Sequence, residues 1–383
     1  MVRDIKDIKN LKGKRVLVRA SLNIPFSKGG VILDDFRLQK ALPTIKYLHE
    51  KGARVIMCGH LGRDAHMTLA PIFHYLQKHI EHIQFAHDVV GPSVNNAVGN
   101  MNDGDVLLLE NLRRCDGETA NDLQFAEELA RLADIYVNDA FSASHREHAS
   151  IVGVPFFLPA YAGKLFKSEY EELQYARNPE HPALFILGGA KFETKQPLVE
   201  KFLTIYDHVF VTGALANDFF LAEGYPVGRS LVSDPPVNVK HLLKNSKVLI
   251  PKDVMVLTID GEKVVKKPEE VEVGDMINDS GPETIKMLEP IIKQAKFILW
   301  NGPLGDYQLG FIEGTKSLIE LISRTNPDSV VGGGDTMSLI TKFGYDKQFS
   351  FCSTAGGSML EFLLKGTIPG IEAIERSSNR HHE

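Results

Sequence analysis

ALFILGGAK, residues 183–191, runs from an unbroken apolar stretch straight into paired glycines and a lysine. An apolar run of this length, bounded by turn residues, reads as a strand buried on both faces of a parallel sheet. The glycines after it let the backbone approach a ligand closely and turn successive N–H groups toward one anion. The same pattern recurs at WNGPLG (300–305), VGGGD (331–335) and STAGGS (353–358). Where such a turn also opens a helix, the helix dipole adds to the attraction. A single turn of this kind is commonly no more than a tight turn. Their recurrence after buried strands, with Lys191 and Lys195 beside the first, predicts a nucleotide-phosphate site in the second half. The first half has no comparable set of turns, but places Arg and His where its strands end. Each half is therefore predicted to bind one anionic ligand.

Working outward, short β-branched runs alternate with stretches of helical period along the whole chain, the pattern of α/β architecture. Strands are predicted at RVLVR (15–19), RVIMC (54–58), DVLLL (105–109) and IYVN (135–138), with amphipathic helices over 36–51 and 123–133. The polar stretch 163–177 predicts a joining helix, and ALFIL then opens a second series of strands at HVFVT, KVLI, FILW, SVVG and FSFCS. The segment 254–273 is charged and β-like, with Asp260–Gly261 as a hairpin turn and its Lys and Glu residues on a solvated face. The predicted fold is α/β: two Rossmann-like lobes with largely parallel sheets joined by a hinge helix. Their boundaries fall at 1–160 for the first lobe, 161–178 for the helix and 179–365 for the second.

A chain of 383 residues fits two such lobes, and 43% hydrophobic with 24% charged residues is ordinary for a soluble protein. The net charge of −6 argues against a nucleic-acid or membrane-surface binder, so any anion must be held by a local basic cluster. Cys58, Cys115 and Cys352 lack metal-ligand spacing and read as reduced thiols. No run of about 18 apolar residues and no leader-like apolar segment is present. A cytoplasmic location is expected. The tail SSNRHHE reads as frayed.

Working residues of α/β sheets lie just past the carboxyl ends of strands. In the first lobe these positions hold Arg19, His60 and Arg63 in GHLGR, Arg113 after LLLEN, and Arg146 in SHREH. Arg37 opens a helix, where a cation is unfavourable beside the positive dipole end unless an anion lies between. Arg19 ends an apolar strand and needs a partner. Guanidinium forks match both carboxylate and phosphate, so this set suits a phosphorylated carboxylic acid. Separate salt bridges are the alternative. In the second lobe GGAKFETK offers backbone N–H groups with Lys191 and Lys195 four apart, as on one helical face. GGGDT offers glycines, Thr336 and Asp335, an acid that suits a phosphate cradle only if it holds Mg²⁺. The P-loop, the H-R-D catalytic loop and the G-x-G-x-x-G fingerprint are all absent, which weighs against the commonest kinase plans and against a dehydrogenase.

Together, VLVRASLNIP, GHLGR, LLLENLR, YVNDAFSASHREHAS, ILGGAKFETK, GYPVGRSL, DSGPET, WNGPLG, GGGDT and STAGGSMLEFL closely resemble the phosphoglycerate kinase family, and the match spans almost the whole chain. The resemblance implies reversible phosphoryl transfer between 1,3-bisphosphoglycerate and ADP, giving 3-phosphoglycerate and ATP, with Mg²⁺. It implies a triose-acid site of Asn23, Arg37, His60, Arg63, Arg113 and Arg146, with Arg19 supporting. Lys191 resembles the lysine that follows the moving phosphoryl group, and Lys195 the nucleotide-phosphate lysine. Asp335 resembles the metal-linked aspartate and Thr336 the phosphate-binding hydroxyl. Gly332, Gly333 and Gly334 with Gly356 and Gly357 would supply helix-start amides. Gly189, Gly213, Pro303 and Leu304 would line the adenosine slot. Residues 366–383 resemble a segment that returns to the first lobe.

This chain departs from the family pattern at several positions. Ser21 stands where an Asp meets the acid's hydroxyl, and Gln308 where a Glu receives both ribose hydroxyls. Ala214 and Thr212 flank Gly213 in place of glycines, Thr194 replaces an Asp, and Ala355 replaces a glycine. These departures motivate a second reading, a catalytically weakened relative that binds both ligands for regulation. The expected mechanism is direct in-line transfer with Arg37 and Lys191 as the catalytic pair, Mg²⁺ held through Asp335, and closure about helix 163–177. Small molecules are the expected partners of a monomer, with no nucleic acid and no membrane.

Overall fold

The structure, a computed structural model, describes residues 2–27, 30–190, 192 and 195–380. The chain divides into two compact units, Met1–Glu171 with Lys365–Glu383, and Glu172–Leu364.

The first unit is built on a six-stranded sheet of β1 (Arg15–Ala20), β2 (Arg54–Cys58), β3 (Ile83–Phe85), β4 (Val106–Leu108), β5 (Ile135–Asp139) and β6 (Ala160–Ala162), in the order β3-β4-β2-β1-β5-β6. Every pairing is parallel. The central β1 lies between β2 and β5, and Val16, Leu17 and Val18 on it are fully buried. Helix Phe36–Glu50 turns Leu38, Leu42, Ile45 and Leu48 onto this sheet at helical spacing. Burying each such side chain stabilises the fold by roughly 1.5–3 kcal/mol. The strands β3 and β6 were not anticipated; at three residues each they are too short to show a period.

Helix Pro369–Arg380 belongs to this first unit. Ser377 Oγ accepts from Ala160 N at 3.0 Å and donates to Leu158 O at 2.8 Å, while Gly370 N donates to Ser144 O at 2.8 Å.

The second unit holds a second parallel sheet from β7 (Ala183–Leu187), β8 (His208–Val211), β9 (Val248–Leu249), β13 (Phe297–Asn301), β14 (Asp328–Gly332) and β15 (Phe351–Cys352), ordered β15-β14-β13-β7-β8-β9. A separate antiparallel sheet joins β10 (Val254–Leu257), β11 (Lys263–Lys266) and β12 (Met276–Ser280) in the order β11-β10-β12. Its β10–β11 hairpin turns at Gly261, whose φ of +84° explains the glycine there.

Helix Lys164–Ala176 carries the chain from one unit to the other. Its first turn is capped by a residue distant in sequence: Asp139 Oδ1 accepts from Leu165 N at 2.9 Å and Phe166 N at 3.2 Å. Burial pushes the Asp139 carboxyl up to about 7, against the hydrogen bonds it accepts.

Candidate functional site

The carboxyl ends of the strands in the first unit carry a cationic cluster. Arg19, on β1, is wholly buried; its Nε donates to Ser150 Oγ at 3.0 Å, Nη1 to Ala20 O at 2.7 Å, and Nη2 lies 2.7 Å from His60 Nδ1. A guanidinium only donates, so His60 Nδ1 must accept, which leaves the proton on Nε2. Burial, then Arg19, Arg113 and Arg146, hold His60 far below its ordinary pKa. This imidazole is therefore neutral and has one N–H to offer.

The counter-charge is Glu118, fully buried, which accepts from Ser150 N at 2.9 Å and Ser150 Oγ at 2.7 Å. Desolvation raises the Glu118 carboxyl, but His148 Nδ1 3.5 Å away, the charge of Arg19 and hydrogen bonds from Ser150 bring it below its ordinary value. Around this pair Arg113 and Arg146 are each lowered first by burial and then by other guanidiniums, among them Arg19 and Arg63. Arg113 Nε is buried with no hydrogen-bond partner among the described residues. Like charges gathered this way, with an N–H left unmet, are the electrostatics of an anion site.

The remaining first-unit residues adjoin one another. Asn23 Oδ1 accepts from Gly62 N at 2.9 Å and so anchors the GHLGR loop, while Asn23 O accepts from Arg37 Nη1 at 2.8 Å. Burial lowers the Arg37 guanidinium, and Glu169 and Asp34 oppose that shift. The anion expected beside this helix-start cation is thus supplied in part by the protein's own carboxylates. Ser21 Oγ lies 2.8 Å from Ser142 Oγ, a neutral pair where a carboxylate would carry charge.

In the second unit the glycine turns leave the carboxyl ends of β7, β8, β13, β14 and β15. Those after β7, β8, β13 and β14 border a cleft of ≈ 360 Å³ whose wall includes Gly189, Gly213, Pro303, Leu304, Gln308 and Asp335. Gly189 has φ +125°, and a Cβ there would fall 2.2 Å from Lys195 Nζ. Gly213 has φ +63°, and a Cβ there would press to 3.1 Å of Gly189 N. Only glycine suits either position without strain. Ala214, by contrast, takes ordinary helical angles, φ −63° and ψ −18°, so its methyl is accommodated. Gln308 is exposed in a short turn capped by Asp306.

Helix Gly334–Phe343 starts directly after β14, with Gly333 at its N-cap, and helix Gly357–Lys365 follows Gly356, whose φ is +60°. Asp335 is exposed in the first turn, one carboxylate oxygen 3.1 Å from the donating Tyr307 hydroxyl. Thr336 is fully buried, yet its hydroxyl has no hydrogen-bond partner among the described residues. Lys195 Nζ donates to Gly188 O at 2.6 Å; burial holds the amine down at about 8, with Asp335 opposing.

Lys195 stands at the N-cap of helix Gln196–Phe202, upstream of the helix rather than on one of its faces as expected. Lys191, Thr194 and the tail histidines lie outside the described residues. The first-lobe residues lie within one unit, and of the second-lobe residues Gly189, Gly213, Pro303, Leu304, Gln308 and Asp335 border one cleft. Sequence reasoning missed Glu118, Ser150 and Ser142. Glu118 sits in DGET, a stretch with no apolar signal, so nothing local marks it as buried.

Among the described residues no group of three or more His, Cys, Asp or Glu could by itself hold a metal ion. A single exposed carboxylate in the first turn of a helix, Asp335, fits a magnesium ion shared with phosphate oxygens and water, not one caged by protein alone.

Fold and site together define a two-unit α/β phosphotransferase. A family model described as phosphoglycerate kinase matches residues 5–366. The phosphoglycerate kinases of Pseudothermotoga lettingae and Dictyoglomus turgidum are 41% and 39% identical to this chain, covering 97% of it and 98% of each relative. Among solved structures, phosphoglycerate kinase from Pyrococcus horikoshii OT3 matches with a TM-score of 0.88 at 30% identity, over 99% of this chain and 100% of that one. The enzyme from Coxiella burnetii matches with a TM-score of 0.84 at 35% identity, over 98% of this chain and 99% of that one. The chain belongs to the phosphoglycerate kinase family.

Proposed function

We propose that this protein catalyses reversible transfer of a phosphoryl group between the acyl phosphate of 1,3-bisphosphoglycerate and ADP, giving 3-phosphoglycerate and ATP. The observation that carries this reading is the gathering of Arg19, His60, Arg63, Arg113 and Arg146 close enough to act on one another's charge, with Arg113 Nε buried and unmet among the described residues. Such an array needs an anion to complete it. A molecule with a carboxylate and a phosphate fits the forked donors, and His60 Nε2–H adds a neutral donor.

The bond between the acyl oxygen and phosphorus breaks as a terminal ADP oxygen bonds that phosphorus, and the electron pair stays on the carboxylate. In a loose transition state of this kind the protein positions and neutralises rather than attacks. Arg37 and Lys191 are assigned to the equatorial oxygens of the moving group. Lys195, the Thr336 hydroxyl and the amides at Gly332–Gly334 and Gly356–Gly357 are assigned to the nucleotide phosphates. Mg²⁺, held through Asp335, would offset nucleotide charge. Ser21 and Asn23 are assigned to the triose acid, and the helix joining the units serves as the hinge. We take the chain to act as a cytoplasmic monomer; among the described residues no helix is long and apolar enough to cross a membrane.

An assay with 3-phosphoglycerate, MgATP and glyceraldehyde-3-phosphate dehydrogenase tests the reaction. Steady NADH consumption that requires this protein is expected. Binding of both ligands without NADH consumption would instead make the chain a regulatory binder.

A pH dependence follows from Lys195. In the free protein its charge is lost as pH rises through about 8, whereas bound phosphates favour the charged form. ADP binding then takes up a proton, and affinity should fall by up to about tenfold per pH unit above that point. Titrations of ADP from neutral to alkaline pH check this, and a flat profile would remove Lys195 from the phosphate contacts.

A further inference from the structure

Deep in the second-unit cleft most of the wall is apolar, with Phe220, Leu231, Val254 and Leu304 on it. The polar side chains there are nearly all engaged. Asp279 accepts from Gly314 N at 2.9 Å with one oxygen and from Ser280 N at 2.8 Å with the other. Ser280 Oγ and Thr212 Oγ1 satisfy each other at 2.9 Å. Tyr307 is tied to Asp335, and Asp306 Oδ1 accepts from Gln308 N and Leu309 N.

Asn278 is different. It lines the cleft from β12 while only 9% exposed. Its backbone is fixed, because Asn278 O accepts from Asp306 N at 2.8 Å. Its amide is oriented too: Nδ2 donates to Met276 O at 3.2 Å, so the amide nitrogen faces its own strand. The other end of the amide, the Oδ1 acceptor, has no partner among the described residues. A fixed acceptor without a donor, set in an apolar wall, selects for a ligand that brings an N–H.

We propose that Asn278 Oδ1 is a specificity-determining contact that reads the 6-amino group of adenine. Hypoxanthine and guanine carry a 6-oxo group at that position, which would set two acceptors against each other. This rests on the nucleotide reading of the cleft.

Calorimetric titration of the full chain with ADP, IDP and GDP tests it, in the unmodified protein and in N278L and N278D, with thermal melts to confirm folding. The unmodified protein is expected to bind ADP at least about tenfold more tightly than IDP or GDP, the worth of one buried hydrogen bond. N278L should bring ADP and IDP within about threefold of each other, while N278D, which keeps an acceptor oxygen, should retain the preference. Equal binding of ADP and IDP by the unmodified protein overturns the inference, as does an undiminished ADP preference in N278L. Absence of binding by any of the three nucleotides would defeat the nucleotide reading itself. Binding without discrimination would defeat only the role of Asn278.

Discussion

Replacing Arg37 by alanine is expected to lower turnover about 100- to 1000-fold, the usual cost of removing one preorganised transition-state donor. The physical reason lies in how this guanidinium is held. One of its nitrogens is anchored to the Asn23 carbonyl at 2.8 Å, which aims the remaining donors. Burial works against its charge, and Glu169 and Asp34 work to keep it. A fixed, partly desolvated cation needs no reorganisation when charge spreads over the moving phosphoryl group, so its effect is felt mainly in kcat. Arg37→Lys should recover only part of the loss, because an ammonium on a flexible stem cannot both hold the Asn23 carbonyl and present a planar fork. The same loss is expected for Lys191→Ala. Steady-state kinetics of folded variants decide the matter. Near-normal turnover in Arg37→Ala would remove this residue from the transfer step.

Arg19→Met is expected to destabilise the first unit by about 3–5 kcal/mol, the cost of stranding a buried charge. The stranded group is Glu118, which Arg19 reaches through the Ser150 hydroxyl, at 3.0 Å on one side and 2.7 Å on the other. The same change frees His60 from its enforced acceptor role at Nδ1. Equilibrium denaturation should show Glu118→Gln restoring much of the lost stability when added to Arg19→Met, since the uncompensated charge is then gone. If the two changes instead add independently, Arg19 and Glu118 do not act as a pair.

Those results also mark what the amino-acid order reveals and what it hides. Strands β1, β2, β7 and β13 were legible because each is an apolar run buried on both faces, and the glycine turns after β7 and β13 mark the ligand-facing end of the second sheet. The requirement that Arg19 have a partner was legible as well, from a charge closing an apolar strand. Its identity was not. Glu118 and Ser150 are remote from Arg19 in sequence and come from segments with no apolar period, so only the fold brings them together. Asn278 was hidden for a related reason: a lone amide in MINDS looks like a strand edge until the cleft around it is seen. The helical position expected for Lys195 is not found, because i, i+4 spacing was taken for helix whereas helix Gln196–Phe202 begins only after Lys195.

The measurement that bears most directly on phosphoryl transfer without a covalent enzyme intermediate is the stereochemical course at phosphorus. With ATP chiral at its γ-phosphorus through oxygen isotopes and 3-phosphoglycerate as acceptor, a single in-line displacement predicts inversion of configuration in the acyl phosphate formed. Retention would mean two successive displacements through a phosphorylated side chain, and would contradict the assignment of Arg37 and Lys191 as stabilisers of one direct step.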